Sequence, residues 1–256
     1  RIVLDEMVAA RRALGLVDLT SLGEVEQAAD MDALCKRAVT VHGPVAAVCV
    51  WPQFVNRCRR ALAGSGIRVA AVANFPGGGS DAEWAALQTR AIVADGADEV
   101  DLVMPYQAWL AGRRDLARDL ITRCKAVCGP GVALKVILET GVLATPEAIR
   151  EASLDAIDSG ADFIKTSTGK TPISATPEAA AIMLKAIRDR GARVGFKAAG
   201  GIRDLAQAAE YLSLADDIMG RDWVRPEHFR FGASGLLDAL LNSVEGGGGH
   251  VASDGY

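Results

Sequence analysis

Residues 162–170 read Asp-Phe-Ile-Lys-Thr-Ser-Thr-Gly-Lys, a short apolar strand that carries one lysine and runs into a loop of hydroxyl, glycine and lysine residues. Amphipathic helical patterns flank this stretch at 146–159 and 177–190, and a second apolar run follows at 194–199. A strand, a helix and another strand in this order are typical of a parallel βαβ unit. The stretch therefore indicates an α/β protein.

The same alternation extends over most of the chain. The predicted strands cover 45–51, 67–75, 99–105, 133–140, 162–167, 194–199, 216–220 and 229–233. About eight βα units predict a single TIM (β/α)8 barrel domain. Its predicted parts are N-terminal helices over about 1–40, a barrel over about 41–245 and a flexible, glycine-rich C-terminal tail over 246–256. A doubly wound sheet is the alternative, because strand order is not visible in a sequence.

The composition limits the possible partners. The formal net charge is −4, whereas nucleic-acid-binding proteins are usually basic. No apolar run approaches the roughly 20 residues that span a bilayer, and the N-terminus does not resemble a signal peptide. The five cysteines form no regular framework and the three histidines lie far apart, so we expect a cytoplasmic protein without a metal. Oligomeric state is not readable, and a homodimer stays open.

Charged residues interrupt three predicted strands, at Asp101, Lys165 and Lys197. Side chains alternate along a strand, so each charge lies opposite its large apolar neighbours. Pointing these charges into the barrel gathers an acid and two ammonium groups in one cavity. Pointing them outward would bury them under helices without evident partners, which is costly. We therefore expect all three in the barrel interior.

Two lysines in one cavity favour amine chemistry. A free lysine titrates near pKa 10.4, so about one in a thousand is neutral at pH 7. A second cation about 6 Å away costs roughly 2.8 kcal/mol at an effective dielectric near 20, which favours loss of a proton. A neutral amine attacks carbonyls and forms a Schiff base. The residues alone leave open which lysine is the nucleophile, and a structural ion pair with Asp101 is the competing interpretation.

Three glycine-containing loops follow predicted strands and suit a phosphate group. The last of them precedes a helix whose free N–H groups and dipole favour an anion, and barrels often bind phosphate after their last two strands. The candidate ligands are Thr168, Gly169, Lys170, Gly200, Gly201, Arg203, Gly232 and Ser234. With the lysines, they predict Schiff-base chemistry on a phosphorylated carbonyl compound.

Other polar positions are weaker candidates. Asp18 is either a helix cap or the buried partner of a lysine, with equal weight on both. Cys49 is expected to be a core residue, because buried cysteines more often pack in the hydrophobic core than take part in function. Lys135 is expected deep in its strand in an ion pair, and Glu139 and Thr140 end the same strand and could line the cavity.

Seven segments, in chain order, resemble the deoxyribose-phosphate aldolase family. They are 16–20, 74–76, 97–101, 135–140, 162–170, 195–197 and 230–234, so the resemblance covers nearly the whole chain. It implies a class I aldolase on a TIM barrel, without metal or cofactor. The implied reaction is reversible cleavage of 2-deoxy-D-ribose 5-phosphate to D-glyceraldehyde 3-phosphate and acetaldehyde, in deoxyribose catabolism.

The same resemblance implies roles for individual residues. Lys165 forms the Schiff base, Lys197 favours its neutral form and takes part in proton transfer, and Asp101 donates and accepts protons through a water. Gly169, Lys170, Gly201, Arg203, Gly232 and Ser234 fall in the phosphate-binding segments. The terminal Tyr256 resembles a tail residue that reaches the active site, although a frayed terminus is the default.

Two positions depart from the family pattern. Ala198 stands where related sequences often have proline, and Gly235 stands where they often have a second serine. The second change removes one possible phosphate hydroxyl, and neither touches the amine chemistry. The alternative functions are a non-catalytic barrel that binds sugar phosphates and a Schiff-base aldolase for a keto-acid sugar phosphate.

Overall fold

Eight parallel strands close into a barrel in the structure, a computed structural model that describes residues 2–247. Numbered along the chain as β1 to β8, the barrel strands span Val17–Ser21, Ala47–Val50, Arg68–Ala73, Glu99–Val103, Ala133–Ile137, Phe163–Lys165, Gly195–Ala199 and Phe229–Ala233. Each strand pairs in parallel with the next, and β8 pairs with β1. The predicted TIM barrel is confirmed, and the closed sheet excludes the doubly wound alternative.

Helices surround the barrel. In the described range, α1 to α11 span Ile2–Leu14, Ala28–Ala38, Val55–Ala61, Ala82–Ala94, Tyr106–Leu110, Arg114–Cys128, Thr140–Leu143, Pro146–Asp158, Pro177–Arg190, Leu205–Met219 and Leu236–Val244. The starts of α8 and α9 follow from a Thr-Pro pair: Thr145 and Thr176 each accept an N–H of the first turn, and proline occupies the first turn. No helix in this range is long and apolar enough to cross a membrane.

Two features of the predicted strand pattern are wrong. Residues 216–220 do not form a strand, because α10 runs to Met219 with its buried Ala208, Tyr211, Leu212 and Ala215 at helical spacing. The missing barrel strand is β1, inside the segment assigned to N-terminal helices. Its polar residues face the barrel interior rather than solvent, so it lacks the apolar run of the other strands.

The barrel therefore begins at Val17, and only α1 precedes it. The segment predicted as a second N-terminal helix contains α2, which follows β1 as the first helix of the barrel. Residues 246 and 247 belong to the predicted tail. The rest of that tail, including Tyr256, lies outside the described residues.

Strand register brings the polar interior residues together. Lys197 on β7 lies opposite both Lys165 on β6 and Arg230 on β8, and Asp101 on β4 lies opposite Lys135 on β5. The other half of the interior is apolar: Leu22, Cys49, Ala70 and Val72 pack with Trp51 and Phe75. The barrel thus encloses a charged half and an apolar half.

Candidate active site

A cluster of ionisable side chains fills the charged half of the barrel. We call it the buried charge cluster, and each member is at most 3% exposed. It consists of Asp18, Glu99, Asp101, Lys135, Lys165, Lys197 and Arg230. Burying so many charges is expensive unless they pair, so their mutual contacts decide what the cluster can do.

Asp101 connects the two lysines that the sequence singles out. Its Oδ2 atom lies 3.1 Å from Lys165 Nζ and 2.8 Å from Lys197 Nζ, and its Oδ1 atom lies 3.0 Å from Lys135 Nζ. Both candidate amines therefore share one compartment, as the alternation along their strands predicts. The structure brings Asp101, Lys165 and Lys197 into direct contact.

Asp18 and Glu99 extend these contacts across the barrel. Asp18 accepts hydrogen bonds from Lys197 (2.7 Å), Lys135 (2.8 Å) and Arg230 (2.9 Å). Glu99 accepts two from the Arg230 guanidinium, at 2.8 and 2.7 Å, and its Oε1 lies 2.8 Å from Lys135 Nζ. Of the two interpretations of Asp18, the structure supports the buried partner of a lysine.

Sequence reasoning assigned no role to Glu99 or Arg230. A signal was present, because Glu99 lies two residues before Asp101 and so on the same side of β4. Arg230 stands between Phe229 and Phe231 and has the same alternation. The contact between these two side chains could not be predicted from the sequence, because β4 and β8 are not neighbouring strands in the barrel.

The cations hold the carboxylates ionised. Burial opposes ionisation of Asp101, but the nearby cations, first those of Lys135 and Lys197, outweigh it and keep its pKa well below its usual range. The pKa values of Asp18 and Glu99 are lowered in the same way. Burial alone would lower the pKa of Lys135, but the neighbouring carboxylates outweigh burial and raise it. The carboxylates of Asp18 and Glu99 raise the pKa of the Arg230 guanidinium in the same way.

The candidate phosphate loops follow β6, β7 and β8, which are neighbours in the barrel. A Cβ added to Gly200 would lie 2.5 Å from Ser174 Cβ and 3.3 Å from Gly169 Cα, so the first two loops touch where only glycine fits. Ser234 lines a cavity of about 320 Å³ together with Leu22 and Gly23, which follow β1. Lys170 Nζ donates to the Leu22 carbonyl at 2.8 Å.

The other candidate ligands follow β7 or lie within β8. Gly201 has a φ of +78° and follows Gly200, whereas Gly232 lies within β8, opposite Asp18 of β1. The Arg203 N–H donates to Gln207 Oε1 of α10. Burial lowers the pKa of the Lys170 ammonium, against the opposing effect of Glu24 and Glu26.

Thr168 is already engaged within the protein. Its N–H and its hydroxyl donate to Glu139 Oε1 and Oε2 at 3.1 and 2.6 Å. Its hydroxyl oxygen also accepts the N–H of Lys170 at 3.0 Å. Direct contact between Thr168 and a phosphate stays a prediction, and the observed bonds indicate that this residue shapes its loop.

Two hydroxyls near the mouth are buried and have no hydrogen-bond partner within the described chain: Ser167 Oγ and Thr140 Oγ1. Ser167 lies two residues beyond Lys165, so in an extended chain its side chain points to the same side as that of Lys165. A buried hydroxyl without a partner costs about 1–3 kcal/mol. A bound molecule that accepts or donates a hydrogen bond here would recover that loss.

Cys49 lies at the border between the two halves of the interior. Its Sγ atom is 3.9 Å from Asp101 Oδ2. Burial and the Asp101 carboxylate raise the pKa of the thiol, so it is a neutral side chain at physiological pH. Over residues 2–247, no group of three or more histidine, cysteine, aspartate or glutamate side chains could hold a metal ion.

The DeoC/LacD family of aldolases matches this chain over residues 12–237. The chain belongs to the DeoC/LacD aldolase family. The matched range contains all eight strands of the aldolase barrel and every member of its buried charge cluster.

Solved structures similar to this aldolase agree with that assignment. A Toxoplasma gondii ME49 protein, provisionally named a deoxyribose-phosphate aldolase, is 27% identical with a TM-score of 0.87, covering 94% of this chain and 98% of its own. A Coccidioides immitis protein with the same provisional name is 26% identical with a TM-score of 0.81, covering 91% and 86%. The deoxyribose phosphate aldolase of Aeropyrum pernix, at 19% identity, a TM-score of 0.75 and coverage of 94% and 96%, shares the fold.

Proposed function

We propose that this aldolase cleaves 2-deoxy-D-ribose 5-phosphate reversibly to D-glyceraldehyde 3-phosphate and acetaldehyde, through a Schiff base on Lys165. The motif resemblance along the chain and the names of the similar structures from Toxoplasma and Coccidioides support this substrate. The charge balance of the barrel interior supports the nucleophile.

The observation that carries the proposal is an excess of one cation. Four basic side chains of the buried charge cluster face three carboxylates. At full ionisation the cluster would therefore hold an uncompensated buried positive charge, which is costly. Loss of one proton from one lysine balances it and creates a neutral amine.

Contacts with the carboxylates favour Lys165 as that amine. Among residues 2–247, Lys135 Nζ contacts three carboxylates, Lys197 Nζ contacts two, and Lys165 Nζ contacts that of Asp101 alone. Lys165 is therefore the amine least committed to ion pairs, which favours it as the nucleophile.

The bond changes follow from this assignment. Neutral Lys165 attacks the C1 aldehyde carbon, the carbinolamine takes up a proton and loses water, and a protonated imine forms. A base removes the proton of the C3 hydroxyl, the C2–C3 bond breaks, and its electron pair moves through the enamine to the nitrogen. D-Glyceraldehyde 3-phosphate leaves, C2 takes up a proton, and water hydrolyses the imine to release acetaldehyde.

The residues around Lys165 suit these proton transfers. Asp101 is ionised and touches both amines, so it can accept and return protons through a water. Lys197 contacts the same Asp101 oxygen, Oδ2, as Lys165 does, and can supply a proton to it. The apolar half of the interior, with Cys49, Ala70 and Val72, suits the two-carbon fragment, and the loops after β6, β7 and β8 suit the phosphate.

Trapping the imine tests the proposal. Incubation with acetaldehyde and sodium borohydride should leave a stable ethyl adduct on Lys165, located by peptide mass spectrometry. The variant Lys165→Leu should form no adduct and lose turnover while keeping its circular dichroism spectrum. Lys197→Leu is the matched control: it removes the neighbouring amine, and any adduct should still form on Lys165. An adduct on Lys197 in the wild type would refute the assignment.

A coupled assay tests the reaction itself. Release of D-glyceraldehyde 3-phosphate from 2-deoxy-D-ribose 5-phosphate should be unchanged by a chelator, because the proposed steps use only side chains. A panel of donor aldehydes and ketones should show preference for acetaldehyde in the synthetic direction. Preference for a keto acid would contradict the proposed substrate.

A further inference from the structure

Glu139 has an unusual backbone for its residue type. It follows β5 with φ 61° and ψ 62°, the left-handed region that a glutamate rarely adopts, and its side chain is fully buried. Such a conformation persists only where the surrounding structure holds it, and it is concentrated at functional sites.

The conformation directs the carboxylate at the loop that follows β6. One oxygen accepts the N–H of Thr168 and the other accepts its hydroxyl. The hydroxyl of Thr171 lies 3.4 Å from Oε1. In this arrangement each of the two donors meets its own oxygen atom, which a carboxylate supplies and an amide, with one oxygen and one N–H2 group, does not.

The hydrogen bonds continue from Thr168 to Lys170. The Thr168 hydroxyl is oriented by its donation to Glu139, and its oxygen then accepts the backbone N–H of Lys170. Glu139 thus determines, through one intermediate residue, where the main chain of Gly169 and Lys170 lies.

A second contact holds the far end of the same loop. Gly141, in α7, approaches Ile173 so closely that an added Cβ would lie 2.1 Å from the Ile173 carbonyl oxygen. The short segment 139–141 therefore contacts the loop at two places, Thr168 and Ile173. Its function is positional, since the buried charge cluster is held by other carboxylates.

We propose that Glu139 is a positioning residue for the phosphate of the substrate. Its carboxylate holds the loop 168–171 in the conformation that presents Gly169 and Lys170 to the phosphate, while Lys165 works independently of it. This inference rests on the proposed function. It predicts that Glu139 controls discrimination between phosphorylated and unphosphorylated substrate rather than amine reactivity.

The test compares cleavage of 2-deoxy-D-ribose 5-phosphate with cleavage of 2-deoxy-D-ribose. Glu139→Gln keeps the size of the side chain but presents an N–H2 group to a donor. The ratio of the two kcat/KM values should fall roughly 10- to 100-fold, mainly through KM of the phosphorylated substrate, because small displacements of a binding group are costly. Inhibition by inorganic phosphate should weaken in parallel.

Two further variants separate positioning from mere stability. Glu139→Gly relieves the backbone conformation but lacks the carboxylate, and should lose the discrimination as well. Asp155→Asn removes another buried carboxylate, which binds Trp109, Arg114 and Arg118 outside the barrel. It should lower the melting temperature without changing the ratio.

The outcomes distinguish the two proposals. If the wild type does not prefer the phosphorylated sugar, the proposed function fails before Glu139 is considered. If the wild type shows the preference and Glu139→Gln retains it, the positioning role is refuted while the aldolase assignment stands. Equal losses for both sugars would also refute it, because they would indicate general damage.

Discussion

At the scale of single residues, the barrel interior holds four basic side chains against three carboxylates. Replacing a buried ion pair by apolar residues is often neutral or stabilising, so such a cluster is weak evidence for stability. The proposed function gives this cost a chemical purpose, because Lys165, the lysine of the cluster with the fewest carboxylate contacts, is the proposed nucleophile.

This balance predicts opposite effects for two substitutions. Lys197→Met removes a positive charge beside Lys165, and the rate of Schiff-base formation at pH 7 should fall at least roughly tenfold. Glu99→Gln removes a negative charge and should raise that rate, by less because Glu99 does not contact Lys165. The rate of borohydride-trapped adduct formation with acetaldehyde, measured at this one pH, reports both changes without requiring turnover.

An exposed carboxylate on α8 provides the control. Glu147 lies outside the barrel, so Glu147→Gln should leave the rate of adduct formation unchanged. Rate changes of the same sign for Lys197→Met and Glu99→Gln would rule out the charge-balance explanation.

At the scale of elements, α7 and the loop after β6 form one packed unit. Gly141→Ala would bring a Cβ to 2.1 Å from the carbonyl oxygen and 2.8 Å from the carbonyl carbon of Ile173. Backbone atoms cannot move aside cheaply, so either α7 or the loop must shift. We expect a lower melting temperature and at least about a tenfold loss of kcat/KM for the phosphorylated substrate.

Gly131→Ala is the matched substitution. Gly131 precedes β5, the strand that α7 and Gly141 follow. Its added Cβ meets no atom within 4 Å, and neither glycine has a positive φ. It should stay within about 0.5 kcal/mol of the wild type in stability. Calorimetry and steady-state kinetics on both variants decide whether the Ile173 contact matters.

At the scale of the whole molecule, the cluster links stability to pH. The pKa values of Asp18, Glu99 and Asp101 are lowered in the folded state. Their contribution is therefore present above the unfolded pKa of about 4 and is lost as the pH falls further, because the unfolded chain binds protons first. Asp155, with a pKa lowered to about 2, acts in the same direction.

The raised pKa of Lys135 has the opposite sign. Its contribution is fully present below an unfolded pKa of about 10.4 and is lost as the pH rises through the folded value. Urea unfolding between about pH 2.5 and 10 should show a plateau from roughly pH 5 to 9, with a steep decline on the acid side. A free energy of unfolding that rises between pH 5 and pH 3 would contradict this assignment of charges.

Much of this protein follows from local pattern. The alternation of strands and helices predicts the barrel, and the alternation within each strand predicts that Asp101, Lys165 and Lys197 face one cavity. β1 was not predicted, although Val17 to Thr20 alternate in the same way, because Asp18 and Thr20 interrupt the apolar run in a strand of only five residues. The helical spacing within α10 was likewise mistaken for a strand at its end, since short apolar runs suit either structure.

What the sequence determines by itself is which residues share a side of a strand and which loops follow it, because both depend on neighbours along the chain. How many carboxylates each lysine contacts depends on closure of the barrel. Closure places β1 beside β8, so that Asp18 reaches Arg230 across 212 residues of sequence and Lys197 gains a second carboxylate that Lys165 lacks. A balance of buried charges is a sum over the whole interior, so only the tertiary structure decides it.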